Sequence, residues 1–265
     1  SCDIAFFCLP DAAAREAAVM IENPAVRVID ASTAHRTVSG WIYGFPELSG
    51  DIRKSIASAA RVANPGCHAS GFIALVRPLV DAGLLCREVA LSCFSITGYS
   101  GGGKGMIAEY EGEQRSALLD APRQYGLSQG HKHLPEMQTL CGLSTTPIFC
   151  PIVADYFCGM EVTVPLFANM LRGSVADVRR IYEALYTGPV VRYCPDAEES
   201  GFLSAGKYAG WDGMEISVHG NAKRILLCAR YDNLGKGASG AAVQSFNIMT
   251  GQEETKGLHM DASLL

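Results

Sequence analysis

The sequence predicts an α/β protein in two parts: a parallel sheet first, then an α+β region on a mainly antiparallel sheet. Three observations predict this. Strand and helix patterns alternate over residues 3–63. Later runs are long, β-rich and separated by few helices. A last helical pattern, 237–249, is rich in small residues that allow close packing on another element.

The run "DIAFFCLP" (3–10) is nearly all apolar up to Pro10, as in a strand buried on both faces. "DAAAREAAVMIE" (11–22) supplies strong helix formers, and "VRVIDAS" (26–32) is a second, β-branched strand. Strand, helix and strand this close together form a βαβ unit, hence a parallel sheet. A helix near 51–60 and a short strand at 61–63 lead into "VANPGCHASGF" (62–72). A helix over 68–82 follows, and Pro78 inside it predicts a kink or a break. The runs 88–99, 147–166, 213–220 and 224–233 build the second sheet. Among them lies one well-marked helix: Ser174 as N-cap, Asp177 three residues on, Val175, Val178, Ile181 and Leu185 on one face, Gly188 beyond the end.

Composition narrows the function. The 265 residues are 48% hydrophobic and 18% charged, which excludes a disordered chain. A net charge of −5 without a basic tract argues against nucleic acid as a partner. The longest uncharged stretch, 137–154, holds two prolines and a glycine, so no membrane span is expected. The start shows no basic segment followed by an apolar one, and the ten cysteines never form C-x-x-C. Both point to a cytoplasmic protein with reduced thiols. The sequence His131-Lys132-His133 has no companion cluster at ligand spacing, so no metal is expected.

Four stretches carry chemistry. In the first, Pro65 and Gly66 aim Cys67 stiffly at the start of a helix, where free N–H groups and the helix dipole favour a thiolate. A buried structural cysteine fits that stretch equally well on its own. The second, "QGHKHLPEM" (129–137), offers two histidines suited to proton transfer near neutrality, or an idle surface pair. The third, "SITGYSGGGKGM" (95–106), has five glycines in twelve residues and Lys104, fitting an anion or a flexible hairpin. It is not a P-loop, because Gly105 follows the lysine. In the fourth, "YDNLGKGASGAAVQSFN" (231–247), Asn233 ends a strand before a glycine-rich turn, suited to reading a carboxamide or to capping the turn.

In this order, with "CLPDAAAREA", "VIDASTAHRT", "GWIYGFPELS", "GFIALVRPLVDAGLL" and "TGYSGGGKGMIAEYE", these stretches resemble the second type of N-acetyl-γ-glutamyl-phosphate reductases of arginine biosynthesis. The resemblance runs almost end to end. It implies kinship with aspartate-semialdehyde and glyceraldehyde-phosphate dehydrogenases and two domains. Residues 1–66 with 236–265 would form an incomplete Rossmann-like, NADP-binding domain, and 67–235 the catalytic and dimerisation domain. It implies Cys67 as nucleophile and His131 as acid/base, although the residues alone leave His131 and His133 both open. Arg36, Lys104 and His133 become candidates for the substrate, and Ser32, Gly98, Ser100, Gly101 and Asn233 for the cofactor, NADP. A homodimer or homotetramer is implied too. Aspartate-semialdehyde dehydrogenase and a non-catalytic remnant of the fold are the competing readings.

Two departures stand out. The family opens with a strand and a G-x-x-G-x-x-G turn, about fifty residues that this sequence does not contain, so NADP rests on the resemblance alone. After Cys67 stand His68-Ala69 where the family shows Tyr-Pro, which adds a second candidate for proton transfer.

Overall fold

The computed structural model describes residues 2–261. Its first part contains β1 (Ile4–Phe7), α1 (Asp11–Met20), β2 (Arg27–Asp30), β3 (Ile42–Tyr43), α2 (Gly50–Ser58) and β4 (Arg61–Ala63). The four strands are all parallel, in the order β1-β2-β4-β3. The expectation that β1 is buried on both faces fails. It is an edge strand here; Phe7 points into the core while Phe6 is 46% exposed.

The second part begins with α3 (Cys67–Asp81), β5 (Ser92–Gly98), α4 (Gly103–Glu111), β6 (Arg123–Gln124), α5 (Leu134–Cys141), β7 (Ile148–Ala154) and β8 (Met160–Phe167). Then come α6 (Val175–Leu185), β9 (Val191–Tyr193), β10 (Met214–Gly220), β11 (Arg224–Tyr231) and α7 (Gly240–Thr250). The strands pair in the order β6-β7-β5-β8-β11-β10-β9; only β5–β7 and β9–β10 are parallel. A π-turn, Gly235–Ser239, precedes α7, so the helix expected over 237–249 starts slightly later. Ala242 and Met249 of α7 pack with Ile29, Ile56 and Val62, which returns the end of the chain to the first sheet.

Pro78 neither breaks nor ends α3, which runs on to Asp81. A proline has no N–H for the carbonyl four residues back, here that of Ala74. The Tyr186 hydroxyl, just beyond α6, donates to that carbonyl at 2.6 Å, and the Tyr182 hydroxyl donates to the Leu75 carbonyl. The cost of the proline is thus met from a neighbouring helix, which short-range sequence reading does not see.

Register divides the larger sheet into two faces. Val162 and Val164 of β8 lie on the buried side with α3, in the main apolar core. Phe94, opposite Thr163, shares the other side with Pro165 and with Leu226 opposite it. That side leaves Phe94, Ile148, Phe167 and Leu226 exposed.

Candidate active site

β4 ends at Ala63, and Asn64-Pro65-Gly66 turns the chain into α3, whose first residue is Cys67. Gly66 is required by close approach: a Cβ there would lie 2.3 Å from Arg36 Nη1 and 2.6 Å from His133 Nε2. Cys67 is half-buried and lines a cavity of about 530 Å³ together with Arg36, Asn64, His131, Lys132 and Asn233. Its carbonyl accepts from the Tyr231 hydroxyl at 2.6 Å, and that hydroxyl accepts from Gly71 N–H at 2.9 Å. The π-turn presses on it from the far end of the chain; a Cβ on Gly237 would sit 3.1 Å from Cys67 Cβ.

Glu136 of α5 locks this turn. Its buried carboxylate accepts from Gly66 N–H at 2.8 Å, Tyr43 Oη at 2.6 Å and Arg36 Nη1 at 3.1 Å. The remaining nitrogens of Arg36 donate to the Asn64 carbonyl at 2.8 Å and the Ala31 carbonyl at 3.1 Å. One carboxylate therefore joins the histidine segment, the first sheet and the start of α3. Removing one member of such a buried pair generally costs about 3–5 kcal/mol, because the other charge is stranded.

Burial pushes the Cys67 thiol above its ordinary pKa, and Glu136 adds to the rise. Arg36, the His68 N–H and Lys132 pull the other way without cancelling it. Desolvation thus opposes the thiolate that the helix start was expected to favour. His131 is half-buried, and its Nδ1 accepts from His133 N–H at 3.2 Å. A backbone amide can only donate, so the neutral ring carries its proton on Nε2. Burial, helped by Lys132, holds this imidazole below its ordinary value.

His133 is buried, stands at the N-cap position of α5 without a side-chain cap bond and sits against Gly66, its Nδ1 unpartnered; burial and neighbouring charges hold its imidazole well below the usual range. The His68 ring pairs with Ser95 Oγ at 2.6 Å and Tyr125 Oη at 2.7 Å, and burial brings its pKa down to about 3. With both nitrogens engaged and the ring neutral, His68 holds the wall of the site and has no nitrogen to spare for proton transfer. The rings of His68, His131 and His133 pack together at centroid separations of 4.8–5.9 Å.

Not every residue singled out from the sequence reaches the cavity. Ser100 and Gly101 line it, and so does Asn233. The Asn233 amide accepts from Gly159 N–H at 2.9 Å and donates to Ser100 Oγ at 2.9 Å. Gly98 lies beneath that loop, where a Cβ would meet the Phe157 carbonyl at 2.5 Å. Lys104 is exposed on α4, next to the lining residue Gly103 but outside the lining. Ser32 also lies outside it, its hydroxyl donating to Asp30 at 2.7 Å in a local turn. Sequence reading missed Lys132, Asn64 and Glu136. Their signal was adjacency: Lys132 separates the two histidines, Asn64 precedes the Pro-Gly turn, and Glu136 closes "HLPE".

The cavity suits the nicotinamide end of a dinucleotide. Phe6, Ala31, Ala238 and Ala242 form an apolar wall for a flat ring. Beside it, Asn64 donates to the Ala238 carbonyl at 2.9 Å while its buried Oδ1 has no partner, an acceptor left for a bound group.

Residues 1–58 match the family described as the NAD binding domain of semialdehyde dehydrogenase, and residues 67–233 match its dimerisation domain. Among solved structures, aspartate semialdehyde dehydrogenase II from Vibrio cholerae superposes with a TM-score of 0.72 at 20% identity, over 94% of this chain and 79% of that one. Fold and site thus define the semialdehyde dehydrogenase class of oxidoreductases. The N-acetyl-gamma-glutamyl-phosphate reductase 2 of Nostoc sp. is 43% identical over 272 residues, 97% of this chain and 84% of that protein. The N-acetyl-gamma-glutamyl-phosphate reductase of Burkholderia cenocepacia is 43% identical over 258 residues, 95% of this chain and 82% of that protein. The chain belongs to the N-acetyl-γ-glutamyl-phosphate reductase family.

Proposed function

We propose that this protein reduces N-acetyl-γ-glutamyl phosphate to N-acetylglutamate 5-semialdehyde and phosphate in arginine biosynthesis, through a thioester on Cys67. The observation that carries this reading is one cavity in which a thiol at a helix start, an imidazole with a free Nε2–H and two cations meet, with no carboxylate in the lining. Cys67 Sγ attacks the acyl carbon, the C–O bond to phosphate breaks, and the thiol proton leaves on the phosphate group. NADPH, when bound, supplies a hydride to the thioester carbon. The oxyanion formed there is held by His131 Nε2–H and by amides of the first turn of α3. It re-forms C=O and expels the Cys67 thiolate, which takes the proton of His131 Nε2 as the ring is re-protonated from solvent.

Residues 1–66 and 236–265 serve the cofactor in this reading, and 67–235 carry the chemistry; the packing of α7 on the first sheet supports that division. The free state of all ten cysteines suits the reducing cytoplasm. Among the described residues no helix is long and apolar enough to cross a membrane. The open sheet face is the seat of a second copy, consistent with the dimerisation domain it matches. Sedimentation should show a dimer that Leu226→Glu converts to monomer; an unchanged mass for the variant would remove that face from the interface.

The test of function is NADP reduction by N-acetylglutamate 5-semialdehyde, dependent on inorganic phosphate, beside aspartate semialdehyde under the same conditions. A preference for the aspartyl substrate would overturn the assignment. No turnover with either aldehyde, together with no NADPH binding by calorimetry, would leave a non-catalytic remnant.

A further inference from the structure

Two cations line the cavity, and they differ in what already holds them. Arg36 is spent on the protein: its Nε, Nη1 and Nη2 bond the Asn64 carbonyl, Glu136 and the Ala31 carbonyl, and its side chain is 7% exposed. The sequence made it a candidate for a substrate anion; here its charge is matched by Glu136. Lys104, the other cation singled out, lies outside the lining. Lys132 is exposed and makes no ion pair or hydrogen bond among the described residues. The carboxylate of Asp11 feels its charge, yet both oxygens of Asp11 bind Thr33, through its amide and its hydroxyl.

We propose that Lys132 receives the phosphate group of the substrate: the acyl phosphate in the reductive direction, inorganic phosphate in the oxidative one. This rests on the reaction proposed above. The phosphate is bonded to the carbon that Cys67 attacks, so it must sit within a few ångströms of the sulfur, whereas the carboxylate lies at the other end of the molecule. Lys132 stands between His131 and His133, and both the Cys67 thiol and the His131 imidazole respond to its charge. A cation at that place also balances the negative charge that grows on phosphate as the C–O bond breaks. A flexible, unpaired ammonium is the side chain that can follow a phosphate group from acyl phosphate to free ion.

The oxidative reaction separates the two anionic ends of the substrates, because phosphate and semialdehyde are varied independently. Lys132→Met should raise KM for inorganic phosphate by about tenfold or more and leave KM for the semialdehyde within about twofold. Lys132→Arg should recover most of the loss, and unchanged thermal midpoints would exclude misfolding. A rise confined to the semialdehyde KM would move Lys132 to the carboxylate and overturn the proposal. So would two unchanged KM values, with or without a fall in kcat. Should the wild-type protein not use this aldehyde, the proposed function fails, but Lys132 is still testable. Inorganic phosphate should slow alkylation of Cys67 by iodoacetamide in the wild type and not in Lys132→Met; equal protection of both would refute it.

Discussion

Cys67→Ala should abolish phosphate-dependent turnover of N-acetylglutamate 5-semialdehyde. The proposed reaction passes through a covalent bond to this sulfur, and neither oxyanion stabilisation nor positioning replaces a missing nucleophile. Other cysteines cannot substitute. Cys8 also lines the cavity, but Cys67 alone of the two begins a helix. Folding should survive, since the change removes one half-buried sulfur atom and leaves the Gly66–Glu136 and Tyr231 hydrogen bonds in place. Retained turnover, with stability unchanged, would refute the thioester. The wild-type thiol supplies a second reading. Because burial raises its pKa, the rate of Cys67 alkylation in the free protein should keep climbing with pH beyond the ordinary thiol range. A plateau below that range would show that the helix start and Arg36 prevail over desolvation.

His131→Asn should lower turnover by a factor of roughly 10² to 10⁴, the usual yield of one positioned proton-transfer group. The residues alone left His131 and His133 both open and the resemblance implied His131; the structure sets the two in different surroundings. His131 has Nδ1 tied to a backbone amide and Nε2–H free, on a half-buried ring at the cavity. His133 lines the same cavity but is buried against Gly66, with its Nδ1 unpartnered. His133→Asn should therefore act mainly through the packing of the α3 start, as a fall in thermal stability. Steady-state kinetics with melting curves on both variants decides the matter: a loss in kcat at His133 equal to that at His131, with melting unchanged, would transfer the role.

Much of this was legible in the chain because it is local. The αβ alternation of residues 4–63, the Ser174 cap that bonds Asp177 N–H, and the helix beginning at Cys67 each follow from neighbours a few residues apart. The long strands β5, β7, β8, β10 and β11 follow from extended β-branched runs. Short edge strands such as β6 and β9 did not announce themselves, since two or three residues carry no period. The break expected at Pro78 failed for a related reason: the hydroxyl that satisfies the Ala74 carbonyl lies 112 residues away.

By itself the sequence determined the family, the place of Cys67 at a helix start and the histidine pair at 131 and 133, since each is written in contiguous motifs. Tertiary structure alone decided that His131 has its Nδ1 tied to a backbone amide, that Arg36 is bound by Glu136 while Lys132 is not, and that burial raises the Cys67 thiol. Charge and proton affinity depend on desolvation and on partners up to 100 residues distant, and those distances exist only once the chain has folded.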